Sequence, residues 1–194
     1  MKIHKINGDV IFEDDNELLC HTIENAIKQN VKLEGATFAY CDISGADFTP
    51  IDVINIDFSN CTMQGCLFED AINCDFSEAD MTDVRFRSNS HNDIINCDFT
   101  DAFLNRTSFV ECNFSKCDFS YTDWRDVEIE DSTSFDKCNF TNVDWRGFNI
   151  SDVFSMTECN FTEANCSGVD FHDSNIEGCN FERAQLIGCN FFMD

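Results

Sequence analysis

This sequence predicts a solenoid, a fold in which short units of one chain stack along a common axis. A large apolar side chain occurs at about every fifth residue from Leu33 to Phe191. The residues before it also follow a pattern, as in Ala36-Thr37-Phe38 and Cys179-Asn180-Phe181: a small residue, a polar residue, then the large apolar one. A period of five matches neither the helical period of 3.6 nor the strand period of 2. Self-similarity of this kind fixes the whole fold.

The large position keeps its five-residue spacing except at four places. The frame slips by three residues after Phe68 and again after Phe86, and one extra residue precedes Phe135 and Met156. The last three changes fall at one corner of the predicted coil, where extra residues are expected to bulge outward. Counted in this frame, the chain contains about 31 repeats.

This pattern resembles that of the pentapeptide-repeat family, and the resemblance covers residues 31–192. It implies an all-β fold, a right-handed quadrilateral β-helix with one pentapeptide on each of four faces and about 7 to 8 coils. The large residue and the small residue two positions before it would point inward, and the other three would face solvent. Residues 31–194 are therefore expected to form one pentapeptide-repeat solenoid.

Residues 1–30 lie outside the repeat and are predicted to form an N-terminal cap. Asn7-Gly8 stands between apolar residues, Ile3 and Ile6 before it and Val10-Ile11-Phe12 after it, and is typical of a tight hairpin turn. Asp15 or Asn16 is expected to cap a helix that runs to about Gln29. Such a hairpin and helix would cover the first coil, whose edge otherwise exposes unpaired strands and apolar surface.

The C-terminal coil is expected to associate with a second copy of the chain. The sequence is still in register at its last residues and shows no second cap. An uncovered apolar coil favours a two-fold homodimer. The expected dimerisation residues are Leu186, Phe191, Phe192 and Met193.

Cysteines are frequent, yet their positions argue against disulfides and metal sites. Eleven of the 13 cysteines occupy the small inward position, where thiols act as small hydrophobic groups. Their spacing follows the repeat rather than any zinc motif, so reduced thiols in a cytoplasmic protein are expected. The four histidines are scattered, and no nucleophile accompanies a base. We therefore expect no enzyme activity, no cofactor, no metal and no membrane span.

Acidity is the clearest functional signal of the sequence. From residue 33 onward there are 31 acidic and 8 basic residues, a net charge of −23. Spread over a rod of roughly 37 Å, this gives about −0.6 charges per Å, which is close to the value for duplex DNA. Two stripes of aspartates are predicted on successive coils: Asp52, Asp75, Asp98 and Asp118 on one face, and Asp57, Asp80, Asp123 and Asp144 on the next, interrupted at Phe103.

Two functions are compatible with these stripes. The quinolone-resistance pentapeptide proteins and their mycobacterial relative, which this chain resembles in repeat type and acidity, engage DNA gyrase as DNA mimics. The resemblance implies an acidic rod that binds a gyrase or topoisomerase, or else a restriction or defence nuclease, and does not bind nucleic acid itself. The alternative is a scaffold whose partner reads side chains on one face, for which the aromatic segment of Trp124, Trp145, Phe148 and Phe154 is the candidate.

Overall fold

A computed structural model describes residues 1–87, 92–130, 132–151, 153–172 and 174–191, apart from the side chain of Phe154. The chain forms a β-solenoid preceded by a short hairpin and helix, as the repeat predicts. The hairpin consists of β1 (Lys2–Lys5) and β2 (Val10–Glu13), and α1 spans Leu19–Lys28. The strands of the solenoid are β3 (Ala36–Thr37), β4 (Val53–Ile54), β5 (Leu67–Phe68), β6 (Ala71–Ile72), β7 (Arg85–Phe86), β8 (Asn92–Ile95), β9 (Ser108–Val110), β10 (Cys112–Ser115), β11 (Glu128–Glu130), β12 (Thr133–Asp136), β13 (Val153–Thr157) and β14 (Asn175–Glu177).

The solenoid has four sides, two of which carry parallel sheets. The seven-stranded side has the order β14-β13-β12-β10-β8-β6-β4, and the four-stranded side has the order β11-β9-β7-β5. The other two sides are held by single parallel bridges between successive levels. We call these the phenylalanine side, after its inward residues Phe38, Phe58, Phe76, Phe99, Phe119, Phe140, Phe161 and Phe181, and the tryptophan side, which contains Trp124 and Trp145.

The phenylalanine side stacks eight rings along the axis. Neighbouring ring centroids in this stack are 4.7 to 5.6 Å apart. Seven of the eight rings are at most 1% exposed, and Phe181 is half-buried. Close-packed apolar burial of this kind supplies most of the stability of the rod.

The first register change, after Phe68, is one repeat shortened to three residues. The sequence frame had counted it as three extra residues between two repeats. Val53 pairs with Ala71, so Ala71 takes the large inward position and is fully buried. The step from Phe68 to Ala71 is therefore a three-residue repeat. The sequence frame missed Ala71 because its side chain is small where the pattern expects a large one. As a result, every repeat up to and including Phe68 lies one side away from the side that the sequence frame assigned to it.

The later register changes lie together, at the corner that leads into the seven-stranded side. Beyond Phe86, Asn92 lies opposite Cys112 in the pairing of β8 with β10. The one-residue insertion before Met156 appears as a register shift between Thr133 and Ser134 in the pairing of β12 with β13. The extra residues thus leave the inward stacks of the other sides intact.

Three of the four residues of the aromatic segment, Trp124, Trp145 and Phe148, are core, and the side chain of the fourth, Phe154, lies outside the described part of the chain. Trp124 and Trp145 lie on neighbouring levels with ring centroids 5.7 Å apart and are fully buried. Phe148 is 4% exposed and packs 5.4 and 5.1 Å from the two rings. The hypothesis that this segment forms a partner surface is therefore wrong for these three residues, because all three are buried in the core.

The N-terminal hairpin and helix are attached to the first level of the solenoid. Strand β1 pairs with both β2 and β3, so the hairpin continues the edge of the coil. The helix buries Leu19, Thr22, Ile23 and Ala26. The prediction that Asp15 or Asn16 caps it is wrong, because the helix begins after Leu18 and that position makes no side-chain cap bond.

At the C-terminal end, the described residues stop at 191. Phe191 stacks on Phe171 with centroids 4.7 Å apart and is 44% exposed, and Leu186 is half-buried. Phe192 and Met193, also expected at a dimer interface, lie outside the described residues.

Candidate functional site

Four aspartates stand on successive levels of the phenylalanine side. Parallel bridges join Asp57 to Asp75, Asp75 to Asp98 and Asp98 to Asp118. We call these four residues the acidic stripe. Asp52, which the sequence placed in this row, is instead exposed on the seven-stranded side before Val53, and Asp57 takes its place because of the shortened repeat at Ala71.

Each carboxylate of the acidic stripe is held by the residue two positions later. The Ser77 backbone N–H and hydroxyl donate to Asp75 Oδ1 at 2.9 and 2.6 Å, and Ser59 and Ser120 bind Asp57 and Asp118 in the same way. At Asp98 the Thr100 backbone N–H donates at 2.8 Å. These local bonds fix the carboxylates in one orientation without neutralising them.

Cations are absent from the acidic stripe in the described part of the chain. No ion pair there involves Asp57, Asp75, Asp98 or Asp118. The second oxygens of Asp57 and Asp118 accept bonds from Thr37 and Asn139, both neutral donors. The row therefore presents four successive negative charges that are preoriented and unpaired.

The same row becomes neutral in the second half of the rod. It continues through Asn139, Asn160 and Asn180. Asn139 Nδ2 donates to both Asp118 oxygens at 3.0 Å, and each later asparagine donates to Oδ1 of the one before at 3.2 Å. An amide ladder thus replaces the charges, and the acidic stripe ends at Asp118.

The second predicted row lies on the tryptophan side and is partly neutralised. Asp80 bridges to Phe103, and Asp123 bridges to Asp144. Hydrogen bonding by Arg125 lowers the pKa of Asp123, and hydrogen bonding by Arg146 lowers that of Asp144. Because internal arginines already hold Asp123 and Asp144, this row offers fewer free charges than the acidic stripe.

The sequence analysis identified Phe103 as the position that interrupts the second row of aspartates, but it did not predict the groove around this residue. Its side chain is 65% exposed and lies in an open groove of about 1160 Å³, which Tyr121 also lines. The acidic side chains of the groove are Glu78, Asp80, Asp101, Asp123 and Asp126. An aromatic residue at an outward position of the repeat was the signal that could have revealed this groove.

Burial suppresses the ionisation of two thiols in the core. Burial raises the pKa values of Cys66 and Cys112 to about 12, so both thiols stay protonated at neutral pH. All 13 cysteines are free. Among the residues that the structure describes, no cluster of His, Cys, Asp and Glu could hold a metal ion. In the same residues, no helix has the length and apolar character needed to cross a membrane.

Comparison with known proteins agrees with the repeat. A sequence profile for pentapeptide repeats matches more than half of the chain in 8 copies, over residues 54–88, 93–125 and 155–191. Full-length QnrB1, a plasmid-mediated fluoroquinolone resistance protein, is 20% identical, with 81% of this chain and 82% of QnrB1 covered and a TM-score of 0.25. HetL, involved in heterocyst differentiation regulation in the cyanobacterium Nostoc, is 15% identical, with 88% and 93% covered and a TM-score of 0.29. No curated protein matches the chain in sequence.

Proposed function

This chain belongs to the pentapeptide-repeat family, and we propose that it is a non-enzymatic protein whose acidic stripe replaces a DNA backbone in binding a DNA-handling protein. The partner would be a gyrase or another topoisomerase, or a restriction or defence nuclease. Binding would inhibit or protect that enzyme by occupying its DNA site. The observation that carries the proposal is the row Asp57, Asp75, Asp98 and Asp118, unpaired on successive levels.

The spacing of this row supports an imitation of phosphates. Neighbouring levels of a β-solenoid are about 4.8 Å apart, and phosphates along one DNA strand advance about 3.4 Å per nucleotide along the axis. Like charges directly opposite each other on paired strands are destabilising. The amide ladder at Asn139, Asn160 and Asn180 relieves that repulsion on the same side. The fold accepts neutral asparagine at this position, so the presence of charged aspartate on four levels favours a role in recognition.

The overall charge supports the same function. The net charge of −25 attracts basic DNA-binding surfaces over long range and accelerates association at low salt. A partner that tracks phosphates with lysine and arginine would meet a rod whose mean charge density, about −0.6 per Å, is near that of duplex DNA.

A capture experiment with a matched control tests the proposal. The immobilised wild type, an acidic-stripe variant (Asp57, Asp75, Asp98 and Asp118→Asn) and a control variant (Asp42, Asp47, Asp93 and Asp170→Asn) are exposed to bacterial lysate. Both variants lose four charges, but the control residues lie on the other three sides. Bound proteins are identified by mass spectrometry after elution with rising salt or with excess duplex DNA.

The proposal requires DNA-handling proteins that the wild type and the control variant retain and the stripe variant loses. Duplex DNA should displace them, and rising salt should release them steeply, because charge contacts are screened. Equal retention by the stripe variant, or the absence of DNA-handling proteins from the wild-type eluate, would refute it.

A scaffold function is the second candidate, and the exposed ring of Phe103 is the observation that favours it. A partner that recognises this groove alone would bind through apolar contact and would ignore the acidic stripe. Its complex would resist salt and duplex DNA, and the stripe variant would retain it as well as the wild type does.

A further inference from the structure

The groove around Phe103 combines exposed aromatic rings with carboxylates, whereas the acidic stripe presents carboxylates alone. We propose that it binds an arginine side chain of the protein partner, with the guanidinium plane lying on the Phe103 ring. This inference rests on the proposed function, because it describes how the same basic partner is held on a neighbouring side of the rod. It assigns the groove one occupant, a guanidinium group.

The aromatic side chain at this position has no role in the core. Phe103 belongs to a row in which Thr62 and Asp80 precede it on successive levels. Those residues are polar, so the fold does not require an aromatic ring there. Tyr121, 58% exposed, lines the same groove. Two exposed rings in one depression are typical of an interaction surface.

The charges of the groove select a cation. Five acidic side chains line it, and Arg125 is the one basic residue among the lining residues. In the described part of the chain, Asp123 alone of the five has an ion pair, with Arg125. An apolar partner would desolvate the remaining carboxylates without pairing them, which is costly. A cationic partner would pair them.

Asp80 is a fixed and ionised acceptor beside the ring. Gln64 Nε2 donates to Asp80 Oδ2 at 2.7 Å, and the Thr82 backbone N–H donates to Oδ1 at 3.1 Å. Partial burial raises the pKa of Asp80, but the hydrogen bonds from Thr82 and Gln64 outweigh that effect and leave the pKa below its usual value. A negative charge therefore stands on the level directly below Phe103 at neutral pH.

Flat cations fit this combination better than compact ones. A guanidinium stacks on an aromatic face and offers paired N–H donors to a carboxylate, whereas an ammonium is a strongly hydrated point charge. The surface already holds one guanidinium by paired bonds to a carboxylate, since Arg106 Nε and Nη2 donate to the two Asp83 oxygens at 2.7 and 2.6 Å. Arginine therefore suits the groove better than lysine.

The backbone pairing of the tryptophan side is interrupted at this place. Bridges between described residues of the tryptophan side form two runs, one from Asp42 through Thr62 and Asp80 to Phe103, the other from Asp123 through Asp144 and Asn165 to Gln185. The groove lies where the first run ends and the second begins. Its walls thus come from both runs.

The test uses a fluorescently labelled hexa-arginine peptide, with hexa-lysine for comparison, and anisotropy titrations at fixed salt. Phe103→Thr copies Thr62 and removes the ring, while Phe103→Asp copies Asp80 and adds a charge. Tyr40→Thr is the control, because Tyr40 is 80% exposed and does not line the groove. Melting curves verify that each variant is folded.

We expect Phe103→Thr to weaken hexa-arginine binding about twofold to fivefold, with a smaller change for hexa-lysine and none for Tyr40→Thr. Phe103→Asp should also weaken hexa-arginine binding although it adds negative charge, which separates ring stacking from simple attraction. Equal affinity of wild type and Phe103→Thr, tighter binding by Phe103→Asp, or no binding by the wild type would overturn the inference. Each of these results leaves the capture experiment on the acidic stripe to decide the proposed function separately.

Discussion

The two halves of the phenylalanine side carry different chemistry on the same backbone. The outward residue before each phenylalanine is aspartate at Asp57, Asp75, Asp98 and Asp118. It is asparagine at the three levels that follow, where each side-chain amide donates to the level before it. Below both halves the same stack of phenylalanine rings continues without interruption.

The comparison distinguishes the side chains that stabilise the fold from the side chains that offer charge to a partner. Asparagine and aspartate both accept the bond from the backbone two residues later, as at Asn139 and Asp118. Only asparagine can also donate a hydrogen bond to the preceding level, so it removes repulsion and adds a bond. The asparagine half is thus the more stable arrangement. The aspartate half is less stable, but it has a charged surface.

The largest expected effect tests the stack that the two halves share. Phe119→Asp places a charge between Phe99 and Phe140, whose ring centroids lie 4.7 and 5.4 Å from that of Phe119. Burying an unpaired carboxylate costs at least about 5 kcal/mol, so cooperative folding should be lost in thermal melts followed by circular dichroism. Phe103→Asp is the matched control and should fold, because its side chain is exposed. A wild-type melting curve for Phe119→Asp would show that this inward stack is wrongly assigned.

The next effect concerns the border between the halves. Asn139→Asp removes the amide that donates to both Asp118 oxygens and puts a like charge in its place. We expect a loss of about 1 to 3 kcal/mol in the free energy of unfolding, measured with urea. Asn142→Asp, at the corner three residues later, adds the same charge outside the row and serves as the control. If both variants lose the same stability, total charge rather than the ladder explains the effect.

The five-residue period predicted a stacked repeat from the sequence alone, and the resemblance to the pentapeptide-repeat family implied its four sides and its inward positions. It misplaced Asp52 and Asp57, since Ala71 fills a large position with a small side chain and so conceals the shortened repeat. The outward position of Phe103 could be predicted from the sequence, but the acidic wall of its groove could not, because the wall residues come from different levels and from the corners between sides.

A smaller effect is expected inside the acidic stripe. Asp98 stands between Asp75 and Asp118, so Asp98→Asn removes repulsion on both sides. Stability should rise by about 0.5 kcal/mol, and the gain should shrink as salt screens the row. Asp170→Asn is the control, because Asp170 is bridged to Asn190 rather than to another acid. A loss of stability in Asp98→Asn would contradict the view that the stripe is a structural cost.

The last prediction concerns Asp14, a carboxylate that is surrounded by hydrogen-bond donors and the N-terminal ammonium, whereas the carboxylates of the acidic stripe stand beside like charges. Asp14, in the N-terminal cap, accepts bonds from Thr22 and Asn25 side chains at 2.7 and 2.9 Å and from the Asn16 backbone at 3.1 Å. Partial burial raises the pKa of Asp14, but these bonds and the N-terminal ammonium outweigh it and lower the pKa to about 2. The ionised form of Asp14 is therefore stabilised by folding.

The pH dependence follows from that direction. The pKa of Asp14 is lower in the folded chain than the value of about 3.9 in the unfolded chain, so its contribution is complete above about pH 5 and is lost progressively as pH falls through about 2. The difference in urea stability between wild type and Asp14→Asn should accordingly be larger at pH 7 than at pH 3. Asp15→Asn, at the exposed neighbour, is the control. A difference that stays constant over this range would mean that Asp14 acts through its shape and hydrogen-bond acceptors and not through its charge.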